Sequence, residues 1–312
     1  MRSLLPGTAH AYCSLWNASA VVELDLRTGQ VVRSIPLLAL SSPIAAGSHP
    51  TALLLSNDEK RLYVALAGAD AVAVIGSVGG RLIGLLSTLL PGQDYGGSCP
   101  SALAEAANGK RLLVVNSGSD ALAVFDTSSD NLLIPHPALG FIPTEWYPTA
   151  TAVRGDDLLI ASGKGVGSGP NSGFMRGTAP ELRGIHPYVV ALLHGSIARL
   201  SFHRTESELG SLTEQVQQSN LMQIRNFEIP FPGGHDPIRH VIYILKENRS
   251  YDQVLGDLKV GDADPSLCMY GENITPNEHA IAREFGVIDN FYRRARSQSG
   301  SSWKSNRPCN GT

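Results

Sequence analysis

Apolar and polar residues alternate in short blocks along the first part of the chain. An apolar run at residues 52–55 is followed by a polar turn at 57–60 and a second apolar run at 61–65. A small-residue turn at 68–70 then leads into a third apolar run at 71–75. Runs of this length, bounded by Asn, Asp, Lys and Gly, predict short strands joined by tight hairpins.

This block recurs at a constant spacing. Three pairs of segments are separated by 50 residues with no gap, namely 50–53 and 100–103, 60–64 and 110–114, and 70–75 and 120–125. A later copy covers 147–150 and 157–161, and a partial earlier copy covers 11–13 and 19–25. Three or four strands in every 40 to 50 residues, roughly, are typical of a β-propeller blade.

The strands of these blocks are apolar at nearly every position, which is typical of sheets buried on both faces. We therefore expect consecutive blocks to pack against one another. The sequence predicts a mainly β protein that contains a partial β-propeller of about four blades. Its first blade is expected to lack the opening strand.

The blocks resemble the YVTN-type β-propeller repeat over roughly residues 9–220. The resemblance implies that these blades belong to a closed ring, which often has seven blades in bacterial and archaeal proteins. About four blades taken from such a ring would leave open edges, which closed propellers avoid. We therefore expect further blades upstream of this sequence.

The pattern changes at Ile238. A run rich in β-branched residues at 238–245 leads into the polar string 246–252. A buried strand with polar residues at its carboxyl end is where α/β sheets place their ligands. The sequence thus predicts a strand followed by a candidate site.

A helix and another strand are predicted further on. Thr275 is a candidate N-cap, Pro276 suits the first helical position, and residues 279–285 continue the helical pattern. Gly286 is expected to end this helix, and residues 287–292 read as a strand. Such a strand–helix–strand unit implies a mostly parallel sheet.

The string 238–257 resembles the start of phosphoesterases related to bacterial phospholipase C and acid phosphatase, which have an alkaline-phosphatase-like α/β fold. Its most specific part is the Glu-Asn-Arg-Ser-Tyr-Asp motif at 247–252. Further matches lie at 261–267, 275–277, 282–285 and 289–292. The resemblance predicts propeller blades over 1–220, a linker over 221–237 and an incomplete α/β phosphoesterase segment over 238–312.

The phosphoesterase resemblance implies roles for three residues. Glu247 and Asn248 match the family's ligands of a divalent metal ion, and their oxygens suit a hard cation whose identity two ligands do not fix. Ser297 matches the nucleophile, although the segment 297–303 carries serines where family members tend to have Asp and His. The alternatives are that Glu247 and Asn248 cap the next helix and that 297–303 is a Ser-rich loop.

The resemblance implies a metal-dependent hydrolase of phosphoric esters with a propeller as its binding platform. The match ends after Trp303, before the family's remaining acidic and histidine ligands, so we expect a fragment at both ends without catalytic activity. Two alternatives stay open. One is a binding module whose propeller holds a protein or cell-surface partner beside a phosphoesterase remnant, and the other is a non-functional product of a broken reading frame.

Composition and charge narrow the range of partners. The chain has 25 Lys and Arg residues against 28 Asp and Glu residues and no basic stripe, so nucleic-acid binding is not expected. No run approaches the roughly 20 apolar residues of a membrane span. Residues 1–10 do not form a signal peptide. The resemblance implies that family members are often periplasmic or secreted, so the location stays open.

Overall fold

The computed structural model describes most of the chain in two compact units. The first unit contains the described residues up to 222, and the second contains those from 231 to 289. The described residues are 2–4, 10–37, 47–94, 96–106, 109–129, 132–165, 194–222, 231, 233–234, 237–240, 242, 244, 246, 249–261 and 263–289. They form a mainly β structure, as predicted.

The described part of the first unit is built from four sheets, each of which is a propeller blade. Blade 1 contains β1 (Arg2–Leu4), β2 (His10–Leu15), β3 (Ala20–Asp25) and β4 (Val31–Pro36). Blade 2 contains β5 (Pro50–Leu55), β6 (Arg61–Leu66), β7 (Ala71–Gly76) and β8 (Arg81–Ser87). Blade 3 contains β9 (Pro100–Ala106), β10 (Arg111–Asn116), β11 (Ala121–Asp126) and β13 (Gly140–Pro143). Blade 4 contains β14 (Pro148–Arg154), β15 (Asp157–Ser162) and β16 (Ser196–Ser201).

The opening strand of blade 1 is present, so the expectation that it is missing is wrong. The short strand β1 pairs antiparallel with β2, with Arg2 opposite Cys13 and Leu4 opposite Ala11. The segment 2–4 lies outside the partial repeat copy at 11–13, and three residues are too few to show a periodic pattern.

One strand leaves its own blade. Between β11 and β13 the chain forms β12 (Leu132–His136), which adds to the outer edge of blade 2 in parallel with β8. Leu132 lies opposite Gly84 and His136 opposite Leu86. The chain then returns to blade 3 and forms its outer strand, β13, so an edge in this propeller already accepts a strand from elsewhere.

The side chains of the inner strands alternate between two interfaces. In β6, Leu62 packs towards blade 1, whereas Tyr63 packs towards blade 3. In β10, Leu112 packs towards blade 2, whereas Leu113 packs towards blade 4. Each central blade is therefore buried on both faces, which confirms the interpretation of the near-continuous apolar strands.

A repeated hydrogen bond ties the turn after each second strand to the segment that enters the next blade. The bonds run from the Ser48 N–H to Ser19 Oγ (2.9 Å), from the Gly97 and Cys99 N–H groups to the Asp70 carboxylate (2.7 and 2.8 Å), and from the Tyr147 N–H to Asp120 Oδ1 (2.8 Å). The three acceptor residues have φ angles of 50°, 46° and 49°. Asp tolerates this left-handed region better than most residues, because its short side chain can hydrogen-bond locally.

Among the described residues two helices follow β16 in the first unit, and the second of them covers the outer edge of blade 3. They are α1 (Phe202–Ser207) and α2 (Leu209–Ser219). The Phe141 N–H of β13 donates to Thr213 Oγ1 of α2 at 2.8 Å. A Cβ on Gly140 would lie 2.6 Å from both Leu209 and Thr213, so only glycine lets the helix approach this strand. The helix thus satisfies and shields an edge that would otherwise be exposed.

The described part of the second unit contains two helices, α3 (Tyr251–Leu255) and α4 (Pro276–Phe285), and two 3-10 turns, Gly256–Leu258 and Pro265–Leu267. The predicted helix is confirmed as α4, which has Pro276 in its first turn. It ends at Gly286, whose φ of 92° is accessible mainly to glycine.

The two strands predicted for the second unit are wrong as far as the structure describes them. The described residues of 238–245 and 287–292 form no strand. Ile242 and Ile244 are 86% and 76% exposed, so these apolar side chains have no sheet or helix to cover them. A strand needs a paired neighbour, and the described residues around this run supply none. In the described part of the chain, no helix is long and apolar enough to cross a membrane.

Candidate functional site

The three residues singled out by the phosphoesterase resemblance lie outside the described residues. Glu247 and Asn248 precede α3, and Ser297 follows α4 in the sequence. Among the described residues, no group of three or more His, Cys, Asp and Glu side chains is arranged to hold a metal ion. The metal and nucleophile roles therefore stay predictions.

The described part of the motif, residues 249–252, has structural roles. Ser250 is the N-cap of α3 and forms a capping box with Gln253, so this helix has a cap that requires neither Glu247 nor Asn248. Arg249 lies over the ring of Tyr270, 5.0 Å from its centroid, and donates to its hydroxyl at 2.9 Å. These contacts join α3 to the loop that leads towards α4.

Asp257 and His279 form the central contact of the second unit. His279 is fully buried, and its Nε2 lies 2.8 Å from Asp257 Oδ1. Its Nδ1 lies 2.8 Å from the Thr275 carbonyl oxygen. Because both ring nitrogens face acceptor oxygens, the doubly protonated imidazolium suits this position best.

The pKa values of this pair shift in opposite directions. The N–H of Glu272 and the ring of His279 lower the pKa of Asp257 to about 2. Burial lowers the pKa of His279, but the hydrogen bonds to Asp257 and to the Thr275 carbonyl outweigh it, so the pKa is raised above the usual 6.5.

These shifts predict that the stability of the second unit has a maximum in mildly acidic solution. The Asp257 contribution is present above its unfolded pKa, near 3.8, and is lost as the pH falls towards 2. The His279 contribution is present below 6.5 and is lost as the pH rises through the higher folded value. Urea unfolding followed through the amide NMR signals of α4 across this range measures the effect. Asp257→Asn should flatten both slopes, and an unchanged pH profile in that variant would contradict the assignment.

A polar cleft of about 240 Å³ lies between blades 2 and 3, within the first unit. Its walls come from the β5–β6 turn, the β9–β10 turn and the residues that follow β11. Among the described residues, four charged side chains line it: Asp58, Arg61, Glu105 and Lys110. The cleft therefore offers two carboxylates and two cations within one small volume.

Hydrogen bonds between the blades fix the walls of this cleft. Arg61 Nη1 donates to the Thr127 carbonyl at 2.8 Å, and Nη2 donates to the Ser129 carbonyl at 3.2 Å. In the opposite direction, the Asn57 N–H donates to Glu105 Oε2 at 2.7 Å. Arg61 and Glu105 are thus held in place by contacts with the backbone of the neighbouring blade.

The environment of the cleft changes the acidity of its groups. Burial raises the pKa of Glu105, and the Asn57 N–H only partly offsets this. Burial likewise raises the pKa of Tyr63, whose ring forms part of the wall. In contrast, the hydroxyl of Ser56 lowers the pKa of Asp58, which keeps that carboxylate charged.

The equivalent positions between blades 3 and 4 are filled by the chain itself. Arg111 occupies the place of Arg61, and its Nε donates to Glu206 of α1 at 2.5 Å. Phe202 stands at the position of Thr127 and is buried in the core between these blades. Helix α1 therefore closes this junction, whereas no described helix covers the junction between blades 2 and 3.

The sequence pattern did not single out this cleft. The Lys60-Arg61 and Lys110-Arg111 pairs were part of the repeat and indicated blades rather than a site. The usable signal was Glu105, a charged residue near the end of a strand where the next blade has Val153. A charge at an apolar position of a repeat points to a local role that the other copies lack.

Comparisons with known proteins indicate no family. No protein-family model matches the chain, and no curated protein matches it. Among solved structures, hydrazine synthase of Kuenenia stuttgartiensis is 21% identical, with a TM-score of 0.40, over 50% of this chain and 39% of its own. Virginiamycin B lyase from Staphylococcus aureus is 18% identical, with a TM-score of 0.36, over 48% and 44%. Sqt1 from Saccharomyces cerevisiae is 16% identical, with a TM-score of 0.38, over 49% and 39%.

The chain therefore spans less than half the length of each of these structures. At such identities and TM-scores the similarity carries no information on activity or ligands. The assignment of a partial propeller rests on the four sheets of the chain and on the way their faces pack.

Proposed function

We propose that this chain is a binding module and that the cleft between blades 2 and 3 is its ligand site. The observation that carries the proposal is that four charged side chains among the described residues, two of each sign, line a polar cavity of about 240 Å³. In small-ligand sites, a few precisely placed polar groups fix the orientation of the ligand, and these four side chains could serve in that way.

The charges in the cleft favour a ligand that carries both signs. A carboxylate of the ligand would pair with Arg61 and Lys110, and an ammonium group would pair with Asp58 and Glu105. A purely anionic or cationic ligand would meet two like charges at close range, which costs free energy in a partly buried site. Free amino acids and short peptides fit this description, as does a zwitterionic segment of a protein partner.

A thermal-shift series tests this proposal. Free amino acids and dipeptides are compared with sugar phosphates and neutral sugars on the full chain, because a ligand that binds only the folded state raises Tm with concentration. We expect the zwitterions alone to raise Tm. Lys110→Ala and Glu105→Gln should each remove most of the shift.

Two matched substitutions in the second unit serve as controls. Lys259→Ala and Glu284→Gln change the same charges at positions that do not line the cleft, so they should leave the shift intact. Equal shifts in all four variants, or larger shifts with sugar phosphates than with zwitterions, would contradict the proposal.

We propose, as a second function, that residues 238–312 derive from a metal-dependent hydrolase of phosphoric esters. The observation that favours it is the N-cap of α3: since Ser250 provides it, Glu247 and Asn248 are not needed to cap this helix. Their carboxylate and carboxamide oxygens suit a hard divalent cation. Such an ion, when bound, would polarise a phosphoryl oxygen.

In this second proposal Ser297 would supply the attacking hydroxyl. Because the resemblance ends before the family's remaining metal ligands, we expect metal binding by this chain without turnover. Calorimetric titration of the full chain with Mn²⁺ should show binding that Glu247→Ala and Asn248→Ala each weaken and that the matched Glu284→Ala leaves intact. The absence of Mn²⁺ binding, or equal binding in all three variants, would count against the proposal.

A further inference from the structure

Blade 4 differs from the three blades before it in the number of its strands. In blades 1 to 3, the third strand is followed by a fourth on its outer side, namely β4, β8 and β13. In blade 4, the described residues form only β14, β15 and β16. The strand β16 is therefore the outer edge of the described sheet.

The chain itself turns away from this edge. Phe202 stands where Thr127 leaves blade 3, but here a helix begins, with Ser201 as its N-cap and the Arg204 N–H donating to Ser201 Oγ at 3.2 Å. Helix α2 then continues to β13, where Thr213 accepts the Phe141 N–H. The segment that could have formed a fourth strand instead covers the edge of blade 3.

The edge of β16 lacks the features that usually protect such strands. All six residues of β16 pair with β15 in an unbroken register, with no bulge. The strand contains no proline and no lysine, and its one charged residue, Arg199, is held by both carboxylate oxygens of Asp157 at 2.9 Å. Ile197 is 75% exposed. Natural edge strands are normally blocked by charges, prolines or bulges.

The same propeller shows what such an edge accepts. The strand β12 comes from between two strands of blade 3 and adds to the outer edge of blade 2 beside β8. The native outer strands share one property, a large apolar side chain that packs between blades: Ile35 in β4, Leu86 in β8 and Phe141 in β13. An added strand in this fold is therefore extended and apolar at alternate positions.

We propose that β16 is a docking edge that takes an extended peptide segment of a protein partner as the fourth strand of blade 4. The main chain of the peptide would complete the ladder, and its alternate apolar side chains would cover Ile197, which lies on the far face of blade 4. This site lies on a different blade from the cleft and does not depend on the function proposed for it. Recognition would depend on backbone pairing and apolar alternation rather than on charge.

A synthetic peptide with the sequence of β8, residues 81–87, is the probe, because this segment already serves as an outer strand. Fluorescence anisotropy of the labelled peptide on the full chain measures binding, and hydrogen exchange locates it. We expect saturable binding and slower exchange of the amides of residues 196–201. A matched peptide with proline in place of Ile83 and Leu85 should not bind, since it lacks the required donors.

Two protein variants separate this edge from other apolar surfaces. Ile197→Asp should weaken binding by about tenfold or more, because it places a charge beside the added strand. Val78→Asp changes a residue that is 93% exposed in the turn after β7 and should leave binding unchanged.

Three results would overturn the proposal. The first is no binding of the β8 peptide, and the second is binding without protection of residues 196–201. The third is protection of these amides by rising protein concentration without peptide, which would assign the edge to a second copy of this chain.

Discussion

Leu113→Ala should lower the free energy of unfolding by about 2–5 kcal/mol, whereas Leu159→Ala should lower it by about 1 kcal/mol or less. The two leucines occupy the third position of β10 and of β15, the second strands of consecutive blades. Leu113 is fully buried against blade 4, and Leu159 is 37% exposed on the far face of blade 4. The two sites thus have the same position within their blades, and they differ in whether a further described blade packs against them.

Urea unfolding of the two variants, followed by circular dichroism, measures this difference. The slope of the free energy against urea should stay unchanged, since neither substitution alters the surface exposed on unfolding by much. Equal destabilisation of the two variants would contradict the packing of blade 3 on blade 4, as would a larger effect of Leu159→Ala.

Asp70→Ala should cost roughly 3 kcal/mol, because it removes an acceptor from two backbone donors between blades 2 and 3. The Asp70 carboxylate is 6% exposed and accepts the N–H groups of Gly97 and Cys99 at 2.7 and 2.8 Å. Hydrogen bonds to charged groups contribute about 1.5–3 kcal/mol each, and donors that stay buried without a partner add to the cost. The loss is therefore larger than for an ordinary turn residue.

The equivalent Ser19→Ala provides the matched comparison. Ser19 Oγ accepts a single N–H, that of Ser48, at 2.9 Å, and carries no charge. We expect a loss of about 1 kcal/mol there. Thermal and chemical unfolding should both show a larger loss of stability for Asp70→Ala than for Ser19→Ala. A loss for Asp70→Ala no greater than that for Ser19→Ala would show that the hydrogen bonds to Asp70 do not hold blades 2 and 3 together.

The repeat made the blade architecture predictable from sequence. Segments such as 60–64 and 110–114 repeat both their apolar residues and their turns, so strand order and two-sided burial follow from local pattern alone. The helix α4 was predictable for a similar reason, since Pro276 and Gly286 mark its ends. Residues close together in the chain determine these strands and this helix, so their positions can be predicted from a single sequence.

Features that depend on distant parts of the chain were not predictable. The crossing of β12 to blade 2 and the packing of α2 on Gly140 are set by which edges remain open in three dimensions. The polar cleft depends on Glu105 and Arg61, which are 44 positions apart and meet only because consecutive blades stack. The apolar run at 238–245 misled for the converse reason: its described residues form no strand, because no described neighbour pairs with them.

Hydrogen exchange of β11 and β16 tests the central claim, a stack of four blades whose last described strand has one open edge. Residues 121–124 of β11 pair with strands on both sides, and the residues of β16 pair with β15 alone among the described strands. In an antiparallel pair every second N–H points away from its partner. We predict uniformly slow exchange at 121–124 and alternating slow and fast exchange along 196–201. Uniform protection of β16, or alternation in β11, would contradict the account.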